Sequence, residues 1–454
     1  MDSRFLPHNT HLEDPETFSI QDPQLRRLRQ QRLVHIPALL NELPTDIPGI
    51  YTIGGGRQIG KTTLLKQWMQ QLLAEGVNPA SIAFFTGEII DDQHTLLRLL
   101  QTHLSEMPAN ALRYLMLDEV SYIRDWDKAI KYLADAGLLE DVILILTGSD
   151  LLLIQEARMR IPGRRGRATM VDFHLYPLSF AEVLQLKHFP ESIDALQNPG
   201  YSPAPEITEK LFNEFEAYLI HGGYLTAIND MAIDGYISNA TLATYSDWIR
   251  GDMLKRGKQE NYLREILAVI IKCYGSQISW NALARDLSID HPRTVADYIE
   301  LLARMDAVFI QPALLEHKLT GAPKKARKLM FSDPFIFHAI RSWLNPVQDP
   351  YKEQILPALS QADWTSKLVE SCATTHFSRR YPTYYIKAEG EVDIAVVHDN
   401  RFWPVEVKWT EQIRTKDLKQ IRKYANGKII SKAKIPGDFQ GVPIEPLPLA
   451  LLRI

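Results

Sequence analysis

The stretch GGGRQIGKTTLL, Gly54 to Leu65, constrains this chain more than any other. It holds G-x4-G-K-T in full, with an apolar run over residues 50–53 before it and a helical pattern after it. Glycines let backbone N–H groups curl around phosphate oxygens, and a helix starting there turns its positive end toward them. Gly55, Gly56, Arg57, Gln58, Ile59, Gly60, Lys61, Thr62 and Thr63 therefore read as a nucleotide cradle. In it Lys61 reaches the β- and γ-phosphates and the Thr62 hydroxyl ligates Mg²⁺.

Around the loop, apolar strands alternate with helical stretches. Strands are expected over residues 50–53, 81–86, 113–117 and 142–147, with helices over 61–73, 94–104 and 126–135. Strands that are apolar throughout and separated by helices form a parallel sheet covered on both faces. The third strand ends in Asp118-Glu119, where such sheets present their ligand-facing tips. Asp118 would hold Mg²⁺, and Glu119 would orient and polarise an attacking water. The next strand ends in Thr147-Gly148-Ser149-Asp150, which puts the Ser149 hydroxyl within reach of a γ-phosphate. Five arginines follow between residues 158 and 167. Arg164 or Arg167 could stabilise the charge of a phosphoryl transition state in a neighbouring subunit, which requires a homo-oligomer.

At 454 residues the chain has room for two to four domains. Its net charge of −4 excludes a whole-chain electrostatic case for nucleic acid or membrane, so any such case is local. Two cysteines, Cys273 and Cys372, make neither a disulfide framework nor a thiolate metal site. With no apolar run of membrane-span length and no signal-peptide core in MDSRFLPHNT, a soluble cytoplasmic protein without a membrane partner is expected. Residues 1–49 form a weakly patterned N-terminal segment with one helix expected over 24–40, and residues 50–185 the α/β phosphate-loop core. A helical block over 186–262 comes next. Over 263–322, apolar faces at Trp280, Leu283, Leu287 and at Val295, Ile299, Leu302, with a following strand, spell a winged helix-turn-helix. Residues 323–454 are a second α/β core.

The ordered set GRQIGKTTLL, YLMLDEV, TGSD, GR-x-GR, Tyr176-Pro177-Leu178-Ser179-Phe180 and His221-Gly222-Gly223-Tyr224 resembles prokaryotic AAA+-type ATPases with a C-terminal domain of the DUF4143 kind. The resemblance runs from about residue 26 to the end. It implies ATP rather than GTP, an added-strand phosphate-loop core, a helical lid and a winged helix. Relatives usually place a Pro after the aromatic of the HGGY segment, where this chain has Leu225.

In the last block, Asp393 and the run Glu406-Val-Lys408 fall on two expected strands, over 392–397 and 402–409. Period-two alternation puts Glu406 and Lys408 on one face. An Asp and a Glu on neighbouring strands can hold a metal, with the lysine steadying an attacking hydroxide. With Glu370 on a preceding helix and Gln420 on an expected helix over 416–424, this layout is similar to PD-(D/E)xK nucleases, whose fold also serves as an inactive nucleic-acid-binding module. Residues 414–434 carry eight Lys/Arg against Asp417, and Lys324, Lys325, Arg327 and Lys328 form a second basic run. Both favour DNA. The outward residues Arg293, Thr294, Asp297 and Arg304 of the winged helix suit a base reader poorly. The leading expectation is an oligomeric ATPase that remodels or translocates on DNA, branched DNA included. The alternatives are an ATP-dependent signalling or defence switch and an ATP-gated, metal-dependent nuclease.

Overall fold

A computed structural model describes residues 1–108, 111–148, 157, 159–289 and 291–454, the side chains of residues 416 and 417 aside. It divides into two compact units, Met1–Tyr176 and Pro177–Ile454. Both are α/β.

The first unit is built on β1 (Gly49–Gly54), β2 (Ile82–Thr86), β3 (Arg113–Asp118), β4 (Val142–Thr147) and β5 (Asp172–His174), in the order β2-β3-β4-β1-β5 and parallel throughout. Helix α3 (Lys61–Ala74) follows β1, α4 (Gln93–Glu106) follows β2, and α5 (Trp126–Asp135) follows β3. Leu64, Leu65, Trp68, Met69 and Leu72 of α3 are fully buried on one face of the sheet, each contributing about 2 kcal/mol. Helices α4 and α5 bury Leu96, Leu100, Ile130 and Leu133 on the other. A covered parallel sheet of this kind leaves only its strand tips for chemistry.

The N-terminal segment is more ordered than its pattern suggests. Phe5 lies in one core and Phe18 in the other. Between them the Asn9 side chain donates to the Phe84 carbonyl and accepts the Phe84 N–H, both over 2.8 Å, so it pairs the free edge of β2 as a strand would. The expected helix over 24–40 is shorter: after α1 (Phe18–Gln21), α2 covers only Pro23–Arg29, and a 3₁₀ turn takes Ala38–Asn41. Asp22 caps Gln24 and Leu25, which fixes the start, and extended Pro37 forbids continuation.

The second unit opens with α6 (Phe180–Leu186), α7 (Ile193–Gln197), α8 (Pro205–His221), α9 (Leu225–Asp234), α10 (Asn239–Lys255) and α11 (Glu260–Lys272). Strand β6 (Gln277–Ile278), α12 (Trp280–Arg285), α13 (Pro292–Arg304), β7 (Val308–Pro312), the short pair β8 (Leu314–Leu315) and β9 (Thr320–Gly321), and β10 (Arg327–Phe331) follow. The sheet order β6-β10-β7 behind two helices makes a winged helix-turn-helix, and its central strand β10 lies beyond residue 322, the expected end of that segment. Next come α14 (Pro334–Leu344), α15 (Leu356–Ser360) and α16 (Ala362–Ser378). A mixed sheet ordered β11-β12-β13-β14-β16-β15 completes the unit. It comprises β11 (Thr383–Lys387), β12 (Glu391–His398), β13 (Arg401–Lys408), β14 (Lys428–Ser431), β15 (Gly437–Phe439) and β16 (Val442–Pro446), and α17 (Leu447–Leu452) follows it. The expected helix over 416–424 is replaced by two 3₁₀ turns, Thr415–Leu418 and Ile421–Lys423. Leu418 and Ile421 both enter the core, as the expected inward face requires. No described helix is long and apolar enough to cross a membrane.

Candidate nucleotide site

Strand β1 delivers the loop 55–60 to the tip of the sheet between β4 and β5. Gly55 has φ +145°, and a Cβ there would collide with the Leu175 carbonyl; only glycine passes. Lys61 opens α3 buried, its Nζ donating to the carbonyls of Gly55 at 3.0 Å and Gly56 at 2.8 Å, with Glu119 Oε1 at 3.6 Å. The Arg57 guanidinium packs over the Tyr122 ring at 5.4 Å. Gln58 stands at φ +60°, so the loop turns sharply before the helix.

Thr62 Oγ1 donates to Asp118 Oδ2 at 2.7 Å. Thr147 Oγ1, at the tip of β4, donates to Asp118 Oδ1 at 2.5 Å and accepts the Glu119 N–H at 2.9 Å. Glu119 itself is left-handed (φ 52°, ψ 46°), a conformation that costs a non-glycine residue about 1 kcal/mol and recurs at functional sites. These residues fit a divalent cation: a hydroxyl and a carboxylate oxygen already face one another beside a glycine-walled cradle. Thr62 and Asp118 would hold Mg²⁺, which when bound neutralises phosphate charge. The Lys61 ammonium and the loop N–H groups would bind and orient phosphate, and Glu119 would order water.

Four predicted residues, Lys61, Thr62, Asp118 and Glu119, thus converge on one strand-tip cluster. Ser149 lies outside the described residues. Thr147, two positions earlier, is the hydroxyl that bonds the Asp118 carboxylate and the Glu119 backbone N–H; its signal was a threonine closing an apolar strand. Among the arginines, Arg165 is buried and bonded to Asp172, Thr52 and two carbonyls, a structural role. Arg164 pairs with Asp135 of its own chain, whereas Arg167 is exposed.

The other motifs resolve into packing. Ser179 and Glu182 form a capping box on α6. A Cβ at Gly222 would strike the Asp333 carboxylate, which accepts the Gly223 N–H at 2.9 Å and the Phe335 N–H at 2.8 Å. Burial pushes Asp333 up to about 6.

In the C-terminal sheet, Ile394 pairs with Val405, so Asp393 lies beside Glu406 as expected. Lys408 Nζ contacts Glu406 Oε1 at 2.6 Å and Asp393 Oδ2 at 3.7 Å. Glu370 reaches the same point from α16. A fourth carboxylate, Glu391, and a buried ammonium, Lys328, join them. Lys328 Nζ is 2.7 Å from Glu370 Oε1, 3.7 Å from Asp393 Oδ1, and bonded to Glu391. Burial, then the Asp393 charge, push Glu370 up to about 7 and Glu406 up to about 8. Burial works against the charge on Lys328, but Glu370, Asp393 and Glu391 outweigh it and raise its ammonium above the usual range. Gln420 lies on the 3₁₀ connection rather than a helix and accepts the Gly390 N–H at 3.1 Å.

Half of the first basic run, and Lys328 of the second, face carboxylates of the same chain. Lys423, Lys428, Lys432 and Lys434 face Glu389, Glu445, Glu216 and Glu209. Arg327 stacks on Trp280 at 4.1 Å.

Residues 48–184 match the family model of an AAA domain, AAA_14, and residues 212–346 that of a domain of unknown function, DUF8612. An uncharacterized protein of Haemophilus influenzae is 23% identical over 270 residues, covering 57% of this chain and 60% of that protein. The uncharacterized protein MJ1637 of Methanocaldococcus jannaschii is 25% identical over 282 residues, covering 59% and 57%. The chain thus spans about three-fifths of the length of the curated relatives it matches. The Walker-type ATPase PABY2304 of Pyrococcus abyssi is a structural neighbour at a TM-score of 0.42 and 15% identity, over 64% of this chain and 91% of that one. Residues 48–184 thus carry the phosphate loop and the parallel sheet in the segment that matches an AAA domain model.

Proposed function

We propose that this chain is a Mg²⁺-dependent ATPase that assembles with copies of itself and couples ATP turnover to remodelling of, or movement along, DNA. The observation that carries the ATPase reading is the bonded set Lys61, Thr62, Asp118, Glu119 and Thr147 at adjoining strand tips. Phosphoryl transfer needs little beyond such positioning and electrostatic stabilisation. Self-association is supported by Arg167, exposed on the unit that carries the site, because a transition-state arginine works between subunits. The DNA reading is supported by the helix-turn-helix and by a shallow cleft lined by Thr415, Lys419, Arg422 and Lys423. The basic runs weigh less than their composition suggests, since carboxylates offset half of the first.

The test is anisotropy of labelled duplex and branched DNA titrated with the Glu119→Gln variant, with ATP and Mg²⁺, across a salt series. Binding that needs ATP and weakens with salt supports the reading. No binding of any DNA form at low salt contradicts it.

A further inference from the structure

We propose that Lys328 is the resident cation of the C-terminal carboxylate centre and stands where a nuclease-like fold would hold a divalent ion. Oxygen atoms of Glu370, Glu391 and Asp393 lie within 4.8 Å of one another, a spacing that would suit one metal ion. The Lys328 ammonium touches all three, and its side chain is 2% exposed.

The lysine is fixed in place by the sheets on either side. It pairs in register with Gln311 of β7. Gln311 Nε2 in turn donates to the Asp393 carbonyl at 2.8 Å and the Tyr384 carbonyl at 3.0 Å. Tyr385 Oη donates to the Ala326 carbonyl at 2.6 Å, and its ring lies 5.6 Å from Lys328 Nζ. Gln277 of β6 bonds Glu391. The winged-helix sheet is thus stitched onto β11 and β12, and Lys328 cannot leave while those bonds hold.

A divalent ion placed among the same oxygens would meet this ammonium at contact distance, where like charges repel strongly. The carboxylates therefore do not fit the expected metal as folded. They bind the winged helix to the C-terminal sheet through an internal charge cluster, four acids against Lys328 and Lys408. Glu406 Oε2, buried and with no hydrogen-bond partner among the described residues, shows that the centre keeps more acceptor capacity than its two lysines use. Removing Lys328 should turn it into a metal site.

The test is Mn²⁺ binding by electron paramagnetic resonance on the full chain without nucleotide, in an Asp118→Asn background that silences the ATP site. The chain with Lys328 should bind no Mn²⁺ that Asp393→Asn abolishes. Lys328→Ala should gain one Mn²⁺ site, lost again when Asp393→Asn is added. Should Lys328→Ala fail to fold, Lys328→Met, which keeps the length of the side chain without its charge, is read the same way. Mn²⁺ binding that depends on Asp393 while Lys328 is present overturns the proposal, as does a folded Lys328 variant that gains no site.

Discussion

Thr147 Oγ1 donates to Asp118 Oδ1 at 2.5 Å and accepts the Glu119 N–H at 2.9 Å, so one hydroxyl from β4 sets both acids at the tip of β3. Thr147→Val keeps the shape and removes the hydroxyl. ATP affinity should stay within a few-fold, because the loop is untouched, while turnover falls roughly tenfold to a hundredfold. A nucleotide-binding titration beside a steady-state rate separates the two. Wild-type turnover would show that the bridge does not matter.

The two candidate arginines are not equivalent. Arg164 is tied to Asp135 of its own chain and Arg167 is exposed, so Arg167 is the better arginine to act in a neighbouring subunit. Arg167→Ala protein mixed with Glu119→Gln protein, each nearly inactive alone, should regain activity, because some interfaces then set an intact Glu119 against an intact Arg167. No recovery at any mixing ratio counts against a shared site.

Lys66 is fully buried in α3, 3.2 Å from Asp22, and burial lowers its ammonium from the usual range. Asp22→Ala should cost about 3 kcal/mol, because it strands a buried charge and removes the cap of α2. Urea unfolding reads this directly. A loss under about 1 kcal/mol would mean the pair is not formed as described.

His221, His338 and His376 are buried, and burial holds them down to about 3, about 4 and about 3. His376 Nε2 accepts the Phe180 N–H at 3.1 Å and so requires the neutral ring. Below about pH 6.5 the unfolded chain takes up protons that the native state refuses, so stability falls as pH falls. Each histidine contributes about 1.4 kcal/mol per pH unit over that window. Asp333, Glu370 and Glu406, with raised folded values, oppose this trend in the global stability, so the rings are read one by one: their proton resonances should not titrate between pH 7 and pH 5. Midpoints near pH 6.5 would place these rings in water.

Much of this was legible in the residues. The loop, the order of strand and helix from 50 to 147, and the acids at 118 and 119 follow from short-range rules: a tight glycine turn, apolar strands, carboxylates at a strand tip. What failed involved contacts distant in sequence. Asn9 pairs an edge 75 residues away, and nothing local in the first segment marks it. Lys328 sat in a run of four basic residues that invited a solvent-facing reading, yet its partners lie at 370, 391 and 393. The segment 416–424 had helical spacing of its basic residues, yet it forms two 3₁₀ turns that still bury Leu418 and Ile421.

The central claim is that ATP hydrolysis at Glu119 is coupled to DNA. The most direct measurement is the Mg²⁺-dependent ATPase rate of wild type and Glu119→Gln, with no DNA and with single-stranded, duplex and branched DNA at several salt concentrations. The wild-type rate should rise several-fold with at least one DNA form and fall back with salt, and the Glu119→Gln rate should be down at least about a hundredfold with ATP still bound. Wild-type turnover in Glu119→Gln, or a rate indifferent to every DNA, would contradict it.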